Sequence, residues 1–302
     1  MSETTQAETE TETESEASTA AQQAAEEDPD GGFQFGGPDM HDGANLGKED
    51  VVLSVEGLRK TFGGLVATDD ATFEVERGTI TGMIGPNGAG KSTLFNLVSG
   101  FYDPEAGSVT VNGVDVTGAE PHEVAEKGLV RTFQTPRKLE GMTVREAMLV
   151  GPRSQVGESF VSLFTRGDEV TTQERKNLED AHRILEEFEI GDLAHQAATD
   201  LSGGQMKLVE LARAMLAEPE ILLLDEPVAG VNPTLANKLS DQIERLNEQG
   251  TTFLVIEHDM EFIMNLADPI VVLDRGHVLT EGTPDEVRSD DRVIDAYLGG
   301  GA

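Results

Sequence analysis

The pattern of apolar and polar residues predicts short strands separated by polar turns in the first half of the chain. Residues 51–58 (VVLSVEGL) and 71–78 (ATFEVERG) alternate between apolar and polar positions, as half-buried strands do. Residues 79–85 (TITGMIG) form a more continuous apolar strand that runs into a glycine-rich loop. Residues 108–113 (SVTVNG) are predicted to form one arm of a hairpin, and residues 129–134 (LVRTFQ) a further strand.

Helical periodicity interrupts this pattern, and strands and helices then alternate to the end of the chain. In residues 173–190 the spacing places five side chains on one helical face: Leu178, Ala181, His182, Leu185 and Phe188. The later strands are predicted at 220–227, 251–259 and 269–276, with helices at 232–250 and 260–268. This alternation predicts a parallel sheet with crossover helices, interrupted by a helical insertion between about residues 135 and 205.

The first 50 residues differ in composition from the rest of the 302-residue chain. They are rich in Glu, Thr, Gly and Asp and poor in branched apolar residues, so we expect a disordered acidic tail at 1–50. This tail has the features of neither a signal peptide nor a transit peptide, and no apolar run reaches the roughly 20 residues of a membrane span. A cytoplasmic location is therefore expected. The chain has no cysteine, which excludes disulfides and cysteine-ligated metals.

The formal net charge of −35 bears on possible partners. The tail contains 14 acidic residues and one basic residue, so residues 51–302 carry 43 acidic and 21 basic residues and a formal net charge of −22. This balance argues against binding to nucleic acid, which requires clustered lysine and arginine. A mildly acidic protein of an ordinary cytosol is one interpretation. The favoured interpretation is a resemblance to proteins from the salt-loaded cytosol of extreme halophiles, in which salt screens the self-repulsion.

A phosphate-binding loop is predicted at residues 85–93 (GPNGAGKST), which match G-x-x-x-x-G-K-[ST] between an apolar strand and a helix. The glycines let successive backbone N–H groups face phosphates, and Lys91 is expected to reach the β- and γ-phosphates of ATP. The Ser92 hydroxyl is expected to ligate Mg²⁺, and Thr93 to support a phosphate. The predicted ATP-binding residues of this loop are Gly85, Asn87, Gly88, Gly90, Lys91, Ser92 and Thr93.

An Asp-Glu pair follows the buried strand ILLL of residues 221–224. Asp225 is predicted to hold Mg²⁺, directly or through water, as in P-loop enzymes. Glu226, placed beyond the γ-phosphate, is predicted to polarise the attacking water. The alternative is an acidic pair that is merely solvated at the end of a strand.

A second anion-binding feature is the segment LSGGQ, residues 201–205, which opens a helix. We expect the first turn of this helix to be bare backbone, with free N–H groups that point outward and a positive dipole end. With this third motif, the chain from residue 51 to about 300 resembles the nucleotide-binding subunit of an ATP-binding cassette (ABC) transporter.

The resemblance implies an α/β fold with a P-loop NTPase (RecA-like) parallel sheet core, an antiparallel β subdomain and an inserted α-helical subdomain. It assigns residues 51–302 to one ATPase domain. Within that domain, the nucleotide-binding core is expected at 51–135 and 205–302, and the helical subdomain at 136–204, with the LSGGQ signature at its end.

The same resemblance implies roles for further residues. Phe62 matches the aromatic residue that stacks on adenine, although alone it would be interpreted as a core residue. Gln134 matches the glutamine that contacts Mg²⁺ and water and hinges the helical subdomain. His258 matches the histidine at the γ-phosphate, although alone it would be an ordinary residue at a strand end. The signature residues implied to bind the ATP of a partner chain are Ser202, Gly203, Gly204 and Gln205.

One departure from the family pattern points to a branch of it. Asn232 in PVAGVNP stands where most members have aspartate, and it keeps an acceptor but loses the charge. This loop resembles that of ATPases of branched-chain amino acid importers. The segments FGGLVA, RTFQ with GMTVREAMLVG, VIEHDM and AYLG agree with that branch, as does an insertion at 151–170. Nothing in this chain would touch the transported solute.

The resemblance implies an ATPase at the cytoplasmic face of the membrane, bound peripherally to permease subunits. Its other implied partners are a second ATPase chain, identical or related, and indirectly a periplasmic-type solute-binding protein. ATP and Mg²⁺ are the implied cofactors. Three alternatives stay open: a single-cassette ATPase of cofactor assembly that transports nothing, the ATPase of a urea or amide importer, and a component of an exporter.

Overall fold

The computed structural model describes residues 50–132, 140–150 and 167–298, all of which lie within one compact unit. Its strands are β1 (Val51–Phe62), β2 (Leu65–Glu76), β3 (Ile80–Ile84), β4 (Ala106–Val111), β5 (Val114–Asp115), β6 (Leu129–Arg131), β7 (Ile221–Asp225), β8 (Thr252–Ile256), β9 (Ile270–Asp274) and β10 (His277–Gly282). Its α-helices are α1 (Lys91–Val98), α2 (Pro121–Glu126), α3 (Val144–Met148), α4 (Gly167–Glu187), α5 (Gly203–Met215), α6 (Pro233–Glu248), α7 (Met260–Leu266), α8 (Pro284–Ser289) and α9 (Asp291–Leu298).

An antiparallel sheet of four strands has the order β2-β1-β4-β5. The predicted strands at 51–58 and 71–78 lie within β1 and β2, which are longer than the pattern indicated. The predicted hairpin arm joins β4 to β5 through Asn112 and Gly113, whose φ angles are 50° and 72°. Asn-Gly is favoured in such two-residue turns because both central residues need positive φ.

The second sheet has six strands in the order β10-β9-β3-β8-β7-β6. Neighbouring strands are parallel along the stretch β9-β3-β8-β7-β6, and β10 pairs with β9 in antiparallel fashion. All five residues of each of β3, β7 and β8 are buried, as expected for parallel strands covered on both faces. This sheet places the carboxyl ends of β3, β7 and β8 at the same edge, where the candidate site lies.

The helical segment contains α3 and α4, and α5 follows it in the chain. The predicted face is confirmed by Ala181 and Leu185 of α4 and by Phe188, which follows the helix, all of which are fully buried. Leu178 has the spacing of that face but is 36% exposed. It lies in a turn of α4 that is mostly exposed, and Ile184, absent from the predicted face, is fully buried instead.

Some sequence predictions fall outside the described residues. Of the predicted strand at 129–134, β6 covers Leu129–Arg131, and Phe133 and Gln134 lie outside the described residues, as do residues 1–49. Across 50–132, 140–150 and 167–298, the helices are too short or too polar to cross a membrane.

Candidate nucleotide site

The glycine-rich loop connects β3 to α1 and requires glycine at two positions. Gly85 has φ 155°, and a Cβ there would lie 2.1 Å from the Leu273 carbonyl oxygen. Gly90 has φ 102°, and a Cβ there would lie 2.3 Å from the Ala67 carbonyl oxygen. Both distances are too short for any side chain, so β9 and β2 hold the loop by backbone contact. Gly88, with φ 80°, faces open space and is exposed.

Lys91 opens α1 and turns its side chain back over the loop. Its Nζ donates hydrogen bonds to the Gly85 carbonyl at 2.6 Å and the Pro86 carbonyl at 3.2 Å. The side chain is buried, and burial lowers the pKa of Lys91 from its usual value, while the Glu226 and Asp225 carboxylates oppose that shift. Next to it, Ser92 is exposed and Thr93 is half-buried. The structure therefore brings this cation close to the predicted acidic pair.

Asp225 ends β7 and is buried against an arginine that the sequence motifs did not identify. Arg131 Nη2 donates to Asp225 Oδ2 at 2.8 Å, and both side chains are less than a tenth exposed. Arg131 Nη1 also donates to Asn96 Oδ1 at 2.7 Å. Its guanidinium lies 5.5 Å from the centre of the Phe95 ring, within cation–π distance. These contacts fix Asp225 relative to α1 and β6.

Glu226 has an unusual backbone conformation, with φ 51°. A non-glycine residue in this left-handed region costs of order 1–3 kcal/mol and persists only where neighbours impose it. Its N–H donates to the Ile256 carbonyl at 2.9 Å, and its own carbonyl accepts from Lys207 Nζ at 2.7 Å. Its carboxylate Oε1 lies 2.8 Å from His258 Nε2. The predicted base and the histidine predicted to lie at the γ-phosphate are therefore in contact.

Glu257, which precedes His258, is a buried carboxylate that the sequence motifs also missed. Its Oε1 accepts from the Val228 N–H at 2.8 Å, and its Oε2 accepts from the His258 N–H at 3.1 Å. Burial raises the pKa of Glu257, and these backbone hydrogen bonds act in the opposite direction. One side chain thus connects the segment after Glu226 to the segment that carries the histidine.

The signature segment forms a capped helix start. The Ser202 side chain accepts from the Gln205 N–H at 3.3 Å, and Gln205 Oε1 accepts from the Ser202 N–H at 3.0 Å. The expectation of a bare first turn was therefore wrong for these two amides, because Ser and Gln three residues apart form a capping box. Gly203 faces open space, whereas a Cβ at Gly204 would lie 1.5 Å from Leu235 of α6.

Phe62 ends β1 and is 42% exposed, so it is not the core residue that its type alone suggests. Its ring meets the Tyr102 ring edge-on at 5.4 Å between centres, and Lys60 Nζ lies 5.8 Å from the Phe62 ring centre. An exposed aromatic face of this kind can stack on a flat heterocycle.

A cavity of about 400 Å³ lies over the glycine-rich loop. Within the described ranges, its lining residues are Gly85, Pro86, Asn87, Gly88, Ala89, His258, Asp274, Arg275, Ala296 and Tyr297. Tyr297 of α9 also receives a hydrogen bond from the Gly85 backbone, and burial raises its pKa. Neither Phe62 nor Ser202 is among these lining residues. In the sequence, the contribution of α9 to the cavity was indicated only by the closing segment AYLG.

Two further predicted residues have different outcomes. Gln134 lies outside the described residues, so its role stays a prediction. Asn232 caps α6, where its Oδ1 accepts from the Leu235 N–H at 3.0 Å ahead of Pro233. Asparagine is among the best N-cap residues, which accounts for its presence without a charge at this position.

The glycine-rich loop that carries Lys91 lies between a parallel strand and a helix, and it faces a carboxylate pair at the end of the next strand but one. This arrangement defines the class of P-loop nucleoside triphosphatases. Within that class, the ABC transporter family model matches residues 68–229. A second family model, described as branched-chain amino acid ATP-binding cassette transporter, matches residues 277–302. The chain belongs to the ABC transporter family.

Known relatives are similar over most of their length. The high-affinity branched-chain amino acid transport ATP-binding protein BraF of Pseudomonas aeruginosa is 41% identical over 249 residues, which cover 82% of this chain and 98% of BraF. The probable branched-chain amino acid transport ATP-binding protein LivG of Archaeoglobus fulgidus is 40% identical over 248 residues, which cover 82% of this chain and 95% of LivG.

A solved structure extends the comparison to the fold. The ADP conformation of MJ1267, an ATP-binding cassette of an ABC transporter, has a TM-score of 0.72 and 40% identity, over 82% of this chain and 99% of MJ1267. The predicted fold class is therefore confirmed.

Proposed function

We propose that the chain is the ATP-hydrolysing subunit of an ABC importer that takes up branched-chain amino acids or a similar small polar solute through a separate membrane permease. The observation that carries the proposal is the contact between Glu226 and His258, 2.8 Å apart, beside the glycine-rich loop. The similarity to BraF and LivG, both named as branched-chain amino acid transport ATP-binding proteins, supports the choice of solute.

The chemistry that we propose requires positioning and charge stabilisation. The Glu226 carboxylate orients a water molecule for attack on the γ-phosphorus and takes up its proton, while the bond from that phosphorus to the bridging oxygen breaks and ADP leaves. His258 holds the carboxylate in place through Oε1. The Lys91 ammonium and the backbone N–H groups of residues 85–93 bind the phosphates. Phe62 stacks on the adenine through its exposed ring.

Mg²⁺ fits the oxygen donors that we expect at this site. The Ser92 hydroxyl and the Asp225 carboxylate are the hard ligands that Mg²⁺ prefers, with Gln134 as a further predicted ligand. When bound, Mg²⁺ neutralises charge on the phosphate oxygens. Arg131 orients Asp225 for this role by holding its Oδ2.

The assembly that we propose is a pair of cassettes, of this chain or of this chain with a related one. The signature residues from Ser202 to Gln205 cover the nucleotide bound to the partner chain, which agrees with the absence of Ser202 from the lining described for the cavity. The pair lies at the cytoplasmic face of the membrane on a permease, with residues 136–204 as the helical subdomain that contacts it. A solute-binding protein delivers the solute from outside, and no nucleic acid takes part.

Reconstitution tests this function. The chain, purified from detergent-extracted membranes with its permease, is placed in vesicles that contain ATP. The solute-binding protein is added outside, and uptake of labelled leucine, valine and urea is measured. We expect uptake of leucine or valine that is lost with Lys91→Ala. Uptake of urea alone would assign the chain to a urea importer, and ATPase activity without a copurified membrane chain would contradict the transport function.

A further inference from the structure

We propose that Lys207 is a positioning residue for the proposed hydrolysis, and that it fixes the backbone of Glu226 from the signature helix α5. The inference rests on the proposed role of Glu226 as the base. It concerns a residue outside the phosphate loop, the Asp-Glu pair and the signature residues themselves.

The contact is made to the backbone of Glu226. Lys207 Nζ donates to the Glu226 carbonyl at 2.7 Å, and the Ala229 N–H donates to the same oxygen at 3.2 Å. The carbonyl direction at Glu226 is therefore set by the turn that follows and by the lysine. Because Glu226 has φ 51°, a conformation that a glutamate adopts only under constraint, loss of one holding contact is expected to loosen the turn.

The surroundings of Lys207 suit this task. The side chain is half-buried and lies among the carboxylates of Glu257, Glu210, Glu226 and Asp225, which attract its ammonium. Hydrogen bonds from a charged donor are shorter and stronger than neutral ones. The ammonium is thus held in place by its surroundings and points at one backbone oxygen.

The contact between Lys207 and Glu226 matters because Lys207 lies on the signature helix α5. Ser202 caps the helix start and Lys207 lies in the second turn of the same helix. A shift of α5 changes the distance from Nζ to the Glu226 carbonyl, and displacement of a reacting group by about 1 Å can lower a rate about 100-fold. Lys207 therefore connects the position of the signature helix to the orientation of the base in the same chain.

The test compares Lys207→Met, which removes the donor, with Lys207→Arg, which keeps one. Lys238→Met is the matched control, because Lys238 is also half-buried on a helix and pairs with a carboxylate, Glu189, at 3.3 Å. Three quantities are measured: kcat and KM for MgATP, and amide hydrogen exchange of the peptide 225–231 in the nucleotide-free chain. Thermal unfolding checks that each variant is folded, and Lys207→Gln replaces Lys207→Met if that variant is not.

We expect Lys207→Met to lower kcat by about 10- to 100-fold with KM changed by less than about twofold. Exchange in 225–231 should rise at least about tenfold, while exchange elsewhere stays near wild type. Lys207→Arg should recover most of kcat and of the protection, and Lys238→Met should match wild type. A normal kcat in Lys207→Met, equal losses in the Met and Arg variants, or unchanged exchange in 225–231 would overturn the inference.

A double variant separates this inference from the proposed function. If Lys207 acts through Glu226, adding Lys207→Met to Glu226→Gln should not lower the residual hydrolysis further, although exchange should still rise. A further loss would show that Lys207 acts by another route. Absence of ATP hydrolysis in the wild-type chain would instead contradict the proposed function, and the exchange measurement would still decide whether Lys207 holds the turn.

Discussion

Glu226 is held by groups from three separate parts of the chain. Its N–H bonds to β8, its carbonyl accepts from α5 and its carboxylate meets His258. These contacts fix both the backbone and the carboxylate of Glu226. Preorganisation of this kind is how an enzyme avoids rearrangement during the reaction.

At the residue scale, we predict that Glu226→Gln binds MgATP and hydrolyses it about 10²- to 10⁴-fold more slowly. The amide keeps the shape of the side chain and loses its basicity, so a closed, ATP-bound pair should accumulate. Phosphate release and binding of labelled ATP measure the two effects. Glu179→Gln on the exposed surface of α4 is the control and should behave as wild type. Turnover near the wild-type rate in Glu226→Gln would assign the base to another residue.

The sequence alone predicted some of these residues and not others, for a physical reason. Lys91 and Asp225 were predictable because a phosphate site and a strand-end carboxylate have local patterns of glycine and apolar residues. Arg131, Lys207 and Glu257 were not, because their roles come from contacts with residues distant in the chain or from burial. Arg131 and Asp225, for example, are 94 positions apart.

At the element scale, the two signature glycines should respond differently to substitution. Gly204→Ala places a methyl group against Leu235, so we predict a loss of about 1–3 kcal/mol in the free energy of unfolding. Gly203→Ala meets no neighbouring atom within 4 Å and should change stability by about 0.5 kcal/mol or less. Urea unfolding of both variants measures the difference. Equal stability of the two would mean that α5 and α6 are not packed through Gly204.

The sequence predicted the positions of helices and strands better than it predicted their lengths and order. The period of the pattern predicted the parallel strands and the helix at 232–250, which begins in the structure at Pro233 after the Asn232 cap. Strand lengths were less predictable, since β1 extends to Phe62, where residues 61 and 62 no longer show the pattern of a buried face. The order of strands in each sheet depends on long-range pairing, which periodicity does not encode.

At the scale of the whole molecule, charge should set the response to salt. Residues 51–302 carry a formal net charge of −22, so we predict that stability and ATPase activity rise with KCl into the molar range, as screening relieves repulsion. Removal of residues 1–50 should leave the optimum largely unchanged. Thermal unfolding and phosphate release at increasing KCl are the measurements. Full stability at low salt would contradict the halophilic interpretation.

A second prediction at this scale concerns how two chains share a site. Lys91→Ala chains are mixed with Ser202→Arg chains, and trapped nucleotide is measured. If the signature of one chain covers the nucleotide of the other, both lesions of a mixed pair fall in one site and the second site is intact. We therefore expect more trapping by the mixture than by either variant alone. Trapping no greater than that of the separate variants would mean that each site is built within one chain. If the natural partner is a related ATPase, the same mixing experiment is repeated with that chain.

The hydrogen bonds of Lys91 to its own loop bear on how long the product stays bound. The Gly85 and Pro86 carbonyls, at 2.6 Å and 3.2 Å, compete with any phosphate for the same ammonium. Part of the attraction for a phosphate is therefore offset by the contacts it displaces. Once the terminal phosphate has left, only the β-phosphate of ADP competes with these carbonyls for the Lys91 ammonium. We therefore expect the loop to favour rapid exchange of ADP for ATP, a property that suits a subunit working in repeated cycles.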